Sequence, residues 1–537
     1  MPTPPSNVAS EKPVVARHAL IGILAVLLAA VNSSLQAGLM SNGLADLRGA
    51  WGLGIDDAVY VVTSFNAAQM FMGPMSIILA ARFGHRRVLL FAGSIYVLSC
   101  LILPLLPRTT MVLFFLVIGG LASGTFYPLT LSFISRNLPL QLIPFGIAAY
   151  TMDILGSSHI VHAMEGFFLD YWSWQWIFWT EAVLTLPMLL CVWVGIPHTP
   201  KDQLLPKTSY GEMLLVSGGL AFLYIALDQG ERLDWINNGL INGLLLAGTV
   251  LMVIALIRRK INPYPFLDFS YLKSRNILIL GLLMVAFRAV LLRVTAIIPL
   301  FLETLHQYRP PEIGRLLLLS LIPYLVALPV IANLMRRVQV RIVLITGFLM
   351  GGIVNFYDSH ALSTWIRDDF ITQQMIASVA ICMIIVGTMS GIVFEGRLTG
   401  AYRNRAGAYC QGAFFQVVRL FGTVLAASGL RRFVQVREHF WQTKLVSGLR
   451  PVWPFDDRLM HLGTALAPQA AGPLQRPEIA TGLIAGSVQA QAFTLAIDDS
   501  FMLLALVSLV SLVAILMMTP IPLPRQLPDA DAVPSKP

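Results

Sequence analysis

Charged side chains are scarce in this sequence. Asp, Glu, Lys and Arg together make up 12% of the 537 residues, which is about half the share that soluble domains carry. Hydrophobic residues reach 56%, and the mean hydropathy is +0.73. Such a composition excludes a soluble globule and predicts an all-α polytopic membrane protein.

Cysteine is also rare. The four cysteines, Cys100, Cys191, Cys382 and Cys410, all lie inside predicted membrane spans. Since no pair falls in a soluble loop, the sequence gives no indication of a disulfide framework. We expect the four side chains to serve in helix packing.

Several functional signatures are missing. The sequence has no soluble catalytic domain, no glycine-rich phosphate loop after a strand and no nucleotide-binding motif. These absences exclude an ATP-driven pump made by this chain alone, and they give an enzyme or a bound cofactor no support. The net charge of +9 does not indicate nucleic acid, because Lys and Arg fall on alternate connections between spans, as the positive-inside rule requires.

Long apolar runs are what the sequence has in abundance. Fourteen stretches between residues 17 and 521 are close to the roughly 20 residues that a spanning helix needs. Six fall in 17–198, two in 209–258 and six in 276–521, which also contains a long predicted outer loop, 433–497. This 6+2+6 arrangement is typical of transporters built from duplicated bundles, whose substrate site lies near the midplane.

The distribution of Lys and Arg predicts the orientation in the bilayer. Both termini are expected on the cytoplasmic side of the cell inner membrane. Residues 1–16, with four prolines and no apolar run, predict a disordered cytoplasmic tail, and 522–537 predict a second one.

Five segments carry a recognisable pattern. They are Tyr171-Trp172-Ser173-Trp174-Gln175-Trp176-Ile177-Phe178, Leu227-Asp228-Gln229-Gly230-Glu231 with Trp235, Pro265-Phe266-Leu267-Asp268 with Tyr271-Leu272-Lys273, Arg419-Leu420-Phe421-Gly422, and Ala490, Phe493, Asp498, Asp499 and Phe501. In these segments the chain resembles the fourteen-helix drug:proton antiporters of the major facilitator superfamily, the EmrB/QacA type. The resemblance covers nearly the whole chain. It implies the major facilitator fold with 14 transmembrane helices and export of hydrophobic or amphiphilic compounds by alternating access, coupled to protons.

The chain departs from this family where coupling residues are expected. The first-span aspartate of the family falls on Gln36, and the fourth-span arginine falls on Leu116. The fifth span has His162 where the family has proline, and Glu165 where it has glycine. The family's coupling chemistry therefore cannot be transferred unchanged.

A gating motif follows the second span in this family. Here Arg82, Gly84 and Arg86 match it, whereas Ile77 and Ala81 replace its first glycine and its aspartate. We expect Arg82 to contribute to the inner gate. Arg86 is a weaker gating candidate, because basic side chains at a helix end also anchor the protein at anionic lipid.

Four ionisable residues lie along the fifth span: Asp153, His159, His162 and Glu165. Ionisable groups at bilayer depth cost at least roughly 2–3 kcal/mol each, so they commonly mark function. Imidazole titrates near neutral pH, so we interpret the set as proton-coupling candidates. Alternatively, the histidines only hydrogen-bond neighbouring helices and Glu165 stays hydrated near the outer surface. Zinc binding is a third interpretation, but no second ligand cluster accompanies the set, and no metal site is predicted.

Two arginines occupy the ninth span, Arg288 and Arg293. They attract an anionic substrate, or they pair with Asp153, Glu181 or Glu395 and hold the two halves together. We expect a mixed role, with at least one of the two arginines paired in the resting state.

Further polar residues are candidates for the substrate path. Arg419 in the thirteenth span is equally consistent with helix packing, gating and ligand contact. Asn32 and Gln36 in the first span, with Asn66 and Gln69 in the second, are candidates to line a mixed polar and apolar cavity.

The expected partners follow from the resemblance. Besides a small-molecule substrate and the lipid bilayer, the EmrB-like plan implies, in a Gram-negative host, a periplasmic membrane-fusion protein of the HlyD/EmrA type and an outer-membrane channel. Two other functions stay open: export or facilitated passage of an organic acid with weak proton coupling, and a sensor or scaffold that does not transport.

Overall fold

The computed structural model describes residues 19–197, 209–261, 273–399, 405–448 and 476–526. Every regular element within these ranges is helical. The predicted tail at 1–16 lies outside the described residues, as does most of the tail predicted at 522–537.

The first half of the chain forms one helical bundle. Its helices are α1 (Ala19–Asn42), α2 (Leu44–Trp51), α3 (Ile55–Phe83), α4 (His85–Ile102), α5 (Thr109–Ser123), α6 (Phe126–Asn137), α7 (Ile143–Tyr171) and α8 (Trp176–Gly195). Gly84 separates α3 from α4 with a φ of +87°, a conformation that glycine adopts without a steric penalty.

The second half follows a pair of long helices. The pair is α9 (Ser209–Gly230) and α10 (Gly239–Ile261), and the later helices are α11 (Arg275–Leu292), α12 (Ile298–His306), α13 (Pro310–Leu319), α14 (Leu321–Leu334), α15 (Val340–Asp358), α16 (Ile371–Leu398), α17 (Arg405–Gly448) and α18 (Arg476–Leu516). A π-helical turn, Arg293–Ile297, joins α11 to α12. Helix α9 packs against α3 and α17, and α10 packs against α9.

Eleven helical segments of the described residues are long and apolar enough to cross a membrane. Three other long helices, α3, α7 and α17, are not among these eleven. All three lie where the halves meet: α7 packs on α13, α14 and α16, and α17 packs on α3 and α6. A helix that faces protein on several sides can carry polar residues that a lipid-facing helix cannot. The structure confirms a polytopic all-helical fold.

Each half has its own apolar core. Leu39, Phe126 and Phe178 belong to the core of the first half, whereas Phe301 and Phe394 belong to that of the second. Buried residues of α6 and α7 join the second core, so these two helices carry the packing between the halves.

Small residues permit a close crossing of α1 and α8 in the first bundle. A Cβ atom placed on Gly195 of α8 would lie 2.4 Å from the backbone nitrogen of Gly22 in α1. Helix association in lipid depends on such close packing, because lipid tails remove the hydrophobic driving force between helices.

The predicted outer loop at 433–497 is largely helical where the structure describes it. Helix α17 continues to Gly448, and α18 begins at Arg476. The extensions are tied together because the Asp499 carboxylate accepts hydrogen bonds from Arg437 Nε at 2.7 Å and from Trp441 Nε1 at 2.6 Å. Helix therefore occupies 433–448 and 476–497 of the predicted outer segment, while 449–475 lies outside the described residues.

We predict that Gly195→Ala destabilises the protein, because the new methyl group would meet the backbone of α1. Overpacking of this kind costs about 1–3 kcal/mol, and the apparent unfolding temperature in detergent should fall. Gly243→Ala is the matched control, because its Cβ would meet nothing within 4 Å. Equal unfolding temperatures for the two variants would contradict the close crossing of α1 and α8.

Candidate functional site

A cavity of about 490 Å³ lies between the two halves. Its lining residues come from α1, α3 and α7 of the first half, from α9, and from α11, α12 and α17 of the second half. All of these segments lie at the end of the bundle where α1 finishes and α3 begins, which we call the cavity end. A cleft between two bundles is where transporters of duplicated architecture bind their substrates.

The cavity wall is mostly apolar with a few polar groups. Apolar lining residues include Val59, Val62, Val161, Leu292, Val424 and Leu430; polar ones include Thr63, Asn66, His162, Asp228 and Arg431. Apolar walls with a few placed polar groups are usual for small-molecule sites.

Asp228 is the carboxylate that lines this cavity. Its Oδ2 accepts hydrogen bonds from the Thr63 hydroxyl and, at 3.2 Å, from Gln229 Nε2. Gln229 in turn accepts a hydrogen bond from Arg232 Nε at 2.8 Å, and Arg232 pairs with Asp56 at 2.7 Å. These bonds fasten α9 to α3. In the sequence, Asp228 appears only as part of a family segment. Its position at the end of a long apolar run could have indicated a polar group of the cavity.

His162 is the member of the fifth-span set that lines the cavity. Its side chain is largely buried, and Nδ1 has no hydrogen-bond partner among the described residues.

His159 has a different environment. Its Nδ1 lies 2.7 Å from the Leu155 carbonyl oxygen, and its Nε2 lies 3.2 Å from the Tyr324 hydroxyl of α14. A nitrogen bonded to a carbonyl must carry the hydrogen, so Nε2 accepts the bond from Tyr324 in the neutral ring. This geometry favours the alternative in which His159 links two helices.

The remaining two members of the set are separated along α7. Glu165 is 1% exposed, its Oε2 has no partner among the described residues, and a Cβ on Gly43 would lie 3.7 Å from its Oε1. Asp153 lies three turns earlier, and its Oδ2 also lacks a hydrogen-bond partner in the described ranges. The four predicted residues therefore do not form one cluster, and Glu165 is not the hydrated surface group of the alternative interpretation. Within the described chain, no three or more His, Cys, Asp or Glu side chains are grouped to hold a metal ion.

Arg293 is fully paired inside the second half. Its Nε and Nη2 contact Asp358 Oδ2 at 2.9 and 2.7 Å, and its Nη1 donates to Gln374. Gln374 continues the network to Ser320 Oγ at 2.9 Å. The acid is none of the three considered from the sequence, since Asp358, the last residue of α15, was not among them. It is fully buried.

Two of the three acids predicted to pair with the arginines, Glu181 and Glu395, have other contacts. Glu181 lies inside the first bundle, where Oε2 accepts a hydrogen bond from the Tyr96 hydroxyl at 3.4 Å. Glu395 accepts hydrogen bonds from Ser274 Oγ at 2.8 Å and Asn276 Nδ2 at 3.0 Å. Neither acid forms an ion pair with Arg288 or Arg293 in the part of the chain that the structure describes.

Arg288 and Arg419 lie at the seam between the halves. The Arg419 guanidinium stacks on the Tyr127 ring, with Cζ 3.7 Å from the ring centroid, and its Nε donates to Gln416 Oε1 at 3.2 Å. Arg288 is 8% exposed, and its Nε and Nη2 have no hydrogen-bond partner among the described groups.

Two of the amide candidates hold the first bundle together. Asn32 Nδ2 donates to Thr185 Oγ1 at 3.0 Å, and Gln69 Nε2 donates to Ser33 and Ser123 at 3.1 and 3.0 Å. Neither amide is among the cavity-lining residues, whereas Asn66 is. Gln36 is 2% exposed, and neither of its amide atoms has a partner in the described chain.

The gating candidates lie at the end opposite the cavity. The Arg82 guanidinium donates to the Tyr210 hydroxyl of α9 and lies 5.1 Å from that ring's centroid. Gly84 makes the turn into α4, and Arg86 Nε is buried without a hydrogen-bond partner among the described residues.

The two halves are in contact at this opposite end. Arg397 Nη2 of α16 donates to the Ser135 carbonyl of α6 at 3.0 Å, which joins the second half to the first. Between this contact and the cavity, the described residues Tyr127, Tyr150 and Arg419 border a void of about 10 Å³.

Comparisons with known proteins agree with this architecture. A sequence model of the family described as Major Facilitator Superfamily matches residues 22–429. The chain is 28% identical over 344 residues to "Probable multidrug resistance protein EmrY" of Escherichia coli K12, an alignment that covers 63% of this chain and just under two thirds, 66%, of that relative. It is 25% identical over 467 residues to "Multidrug export protein EmrB" of Haemophilus influenzae, covering 85% of this chain and 88% of that one. The solved structure of the proton:xylose symporter XylE matches with a TM-score of 0.52 at 12% identity, over 91% of this chain and 94% of the symporter; this likeness concerns the fold alone.

We predict that Asp358→Asn strongly destabilises the second half, because it leaves the buried Arg293 charge uncompensated. Loss of one partner of a buried pair costs about 3–5 kcal/mol. Asp368→Asn is the control, since the Arg367–Asp368 pair is exposed by 27% and 56% and such pairs contribute about 0–1 kcal/mol. The measurement is thermal unfolding of both purified variants, and an Asp358→Asn protein as stable as the control would refute the structural role of the pair.

Proposed function

Because the chain belongs to the Major Facilitator Superfamily, we propose that it is a secondary transporter that exports hydrophobic or amphiphilic compounds across the inner membrane by alternating access. The observation that carries this proposal is the cavity of about 490 Å³ between the halves, which lies at one end of the seam, whereas at the other end Arg397 joins the halves through a hydrogen bond to Ser135. Rocking of two bundles about such a site is the usual transport cycle of this architecture. The names of the Escherichia coli and Haemophilus influenzae relatives support drug-like cargo.

The arrangement in the membrane is part of the proposal. All fourteen long helices cross the bilayer in a 6+2+6 order, with α9 and α10 as the additional pair. Both termini are cytoplasmic, so the cavity end faces the periplasm. Support comes from the alternation of Lys and Arg between connections and from the position of α3, α7 and α17, whose polar residues are covered by other helices.

Proton coupling is assigned to α7 in place of the first-span aspartate that this chain lacks. His162 lines the cavity and exchanges protons with it, and Glu165, three residues further along α7, is the buried acid behind it. Both carry side-chain atoms without hydrogen-bond partners among the described residues. A group with such a free atom can change its protonation state without breaking a hydrogen bond. His159 cannot, because both of its ring nitrogens are hydrogen-bonded.

The expected partners are a periplasmic membrane-fusion protein and an outer-membrane channel in a Gram-negative host. The helical extensions of α17 and α18 support this assignment, since Arg437 and Trp441 fasten them to each other through Asp499. Phe440 is 46% exposed on the α17 extension and is available to a partner.

A scaffold without transport is the competing function. It has less support because buried cations without partners, such as Arg288, are costly in a protein that never binds a ligand. Organic-acid transport has a structural basis in the buried guanidinium groups of Arg288 and Arg419.

We predict that His162→Ala and Glu165→Gln each abolish proton-driven export. The test expresses the chain with the fusion protein of its own host in an efflux-deficient Gram-negative strain and follows extrusion of dyes, antibiotics and aromatic acids with and without a protonophore. Wild-type extrusion should stop with the protonophore, and both variants should match the vector control.

His360→Ala is the control, since His360 is exposed at the end of α15 and its loss should leave extrusion unchanged. Extrusion that survives the protonophore and both α7 substitutions would refute the proposed coupling site. Absence of extrusion for every compound would favour the scaffold.

A further inference from the structure

Hydrogen-bond donors without acceptors are concentrated at one point of the seam. They are Arg288 Nε and Nη2, Arg419 Nη2, Gln416 Nε2 and the Tyr127 hydroxyl, each buried and without a hydrogen-bond partner among the described residues. The four residues come from α11, α17 and α6, and so from both halves. A buried donor without an acceptor loses its hydration without compensation, so a set of them is unusual in a stable structure.

The donors are held in place by contacts that leave their free atoms available. Arg419 uses its face on the Tyr127 ring, 3.7 Å away, and its Nε on Gln416 Oε1. Tyr127 packs edge-to-face on Tyr150, with centroids 5.7 Å apart. Gly422 leaves space for Arg288, since a Cβ on that glycine would lie 3.3 Å from Arg288 Cγ.

The local charge is positive. Arg288 and Arg419 lie close together, because Arg288 packs beside Gly422, which follows Arg419 by three residues on α17. Asp153 follows Tyr150 by three residues on α7, but it forms no ion pair with either arginine in the described chain, and its Oδ2 has no hydrogen-bond partner there. Two cations and one acid leave a net positive site in a low-dielectric environment.

Arg293 lies in the same region of the chain as Arg288 but has a structural role. Its guanidinium is bonded to Asp358 and Gln374, and the protein supplies every contact that a buried cation needs. Arg288, five residues earlier, receives no such acceptors. The missing acceptors at Arg288 therefore point to a ligand.

The site adjoins the cavity. Arg288 and Arg419 each precede a cavity-lining residue, Leu292 and Thr423, by four positions, which places each pair on one helix face, one turn apart. The two guanidiniums thus lie at the inner end of the cavity, towards the midplane.

From this geometry we infer that Arg288 and Arg419, with Tyr127 and Gln416, bind the carboxylate head of an amphiphilic organic anion whose apolar body fills the cavity. Guanidinium pairs recognise carboxylates through charge-assisted bonds, and the valine- and leucine-rich wall accepts a hydrocarbon body. The void beside Tyr127 is only about 10 Å³, so the head group enters as Arg419 leaves the Tyr127 ring. The inference rests on the proposed function and specifies its substrate class.

The test compares binding of decanoate, decanol and decyltrimethylammonium to the purified full-length chain in phosphatidylcholine nanodiscs, by displacement of radiolabelled decanoate and by direct binding of the other two. Wild-type protein should prefer decanoate to the neutral and cationic probes. Arg288→Gln and Arg419→Gln should each weaken decanoate binding roughly tenfold or more, because charge-assisted bonds are lost, and should leave decanol binding unchanged.

Arg432→Gln is the matched control, an arginine of the same α17 whose side chain is 65% exposed and pairs with Glu231 at 3.4 Å. It should bind decanoate as the wild type does. Arg288→Lys and Arg419→Lys, which keep the charge, should retain part of the affinity.

Equal wild-type affinities for decanoate and decanol would overturn the inference, and this comparison needs no variant to fold. Unchanged decanoate affinity in both Arg288→Gln and Arg419→Gln would also overturn the inference. In either case, continued extrusion of neutral or cationic drugs in cells would leave the export proposal standing. Selective decanoate binding without extrusion of any compound would instead support the site and refute export.

Discussion

The cost of placing polar groups in hydrocarbon organises this structure. A helix in lipid must satisfy its backbone internally, and an ionisable side chain at bilayer depth must find another side chain, a cavity or a ligand. The three long helices that are not among the eleven apolar spans, α3, α7 and α17, accordingly lie at the seam between the halves, where other helices cover them. At the seam, ionisable side chains and a substrate-sized space therefore coincide.

Two kinds of buried polar group follow from this constraint. Pairs such as Arg293–Asp358 and His159–Tyr324 are satisfied and fix helices to one another. Groups such as Arg288 and His162, by contrast, lack acceptors or donors among the described residues and lie at or beside the cavity. Alternating access requires two rigid bundles that meet at a seam whose polar groups lack partners. A ligand or proton bound at that seam then changes which arrangement of the two bundles is the more stable.

Hydropathy predicts the helical, membrane-embedded fold of this chain well, since fourteen apolar runs leave few other ways to satisfy the backbone. It could not predict how far α17 and α18 extend past their apolar parts, because the bonds from Arg437 and Trp441 to Asp499 are tertiary contacts. Within α7, spacing alone placed His159 and His162 on similar faces. Only the packing of α14 separates a histidine bonded to a tyrosine from one that borders a cavity. The buried partner of Arg293 was missed for the same reason, since burial at a helix end depends on the neighbouring helices and leaves no local pattern in the sequence.

The central claim is that the two halves exchange which end of the seam is open. It is tested most directly by distances between spin labels on a chain whose native cysteines are replaced, with one pair at Ile55 and Val436 at the cavity end and another at Phe83 and Leu398 at the opposite end, all exposed positions. Addition of a transported compound, or a change of pH across the range in which imidazole titrates, should shorten the first distance and lengthen the second. Two distances that stay constant under every condition would contradict alternating access and leave a static scaffold as the better account.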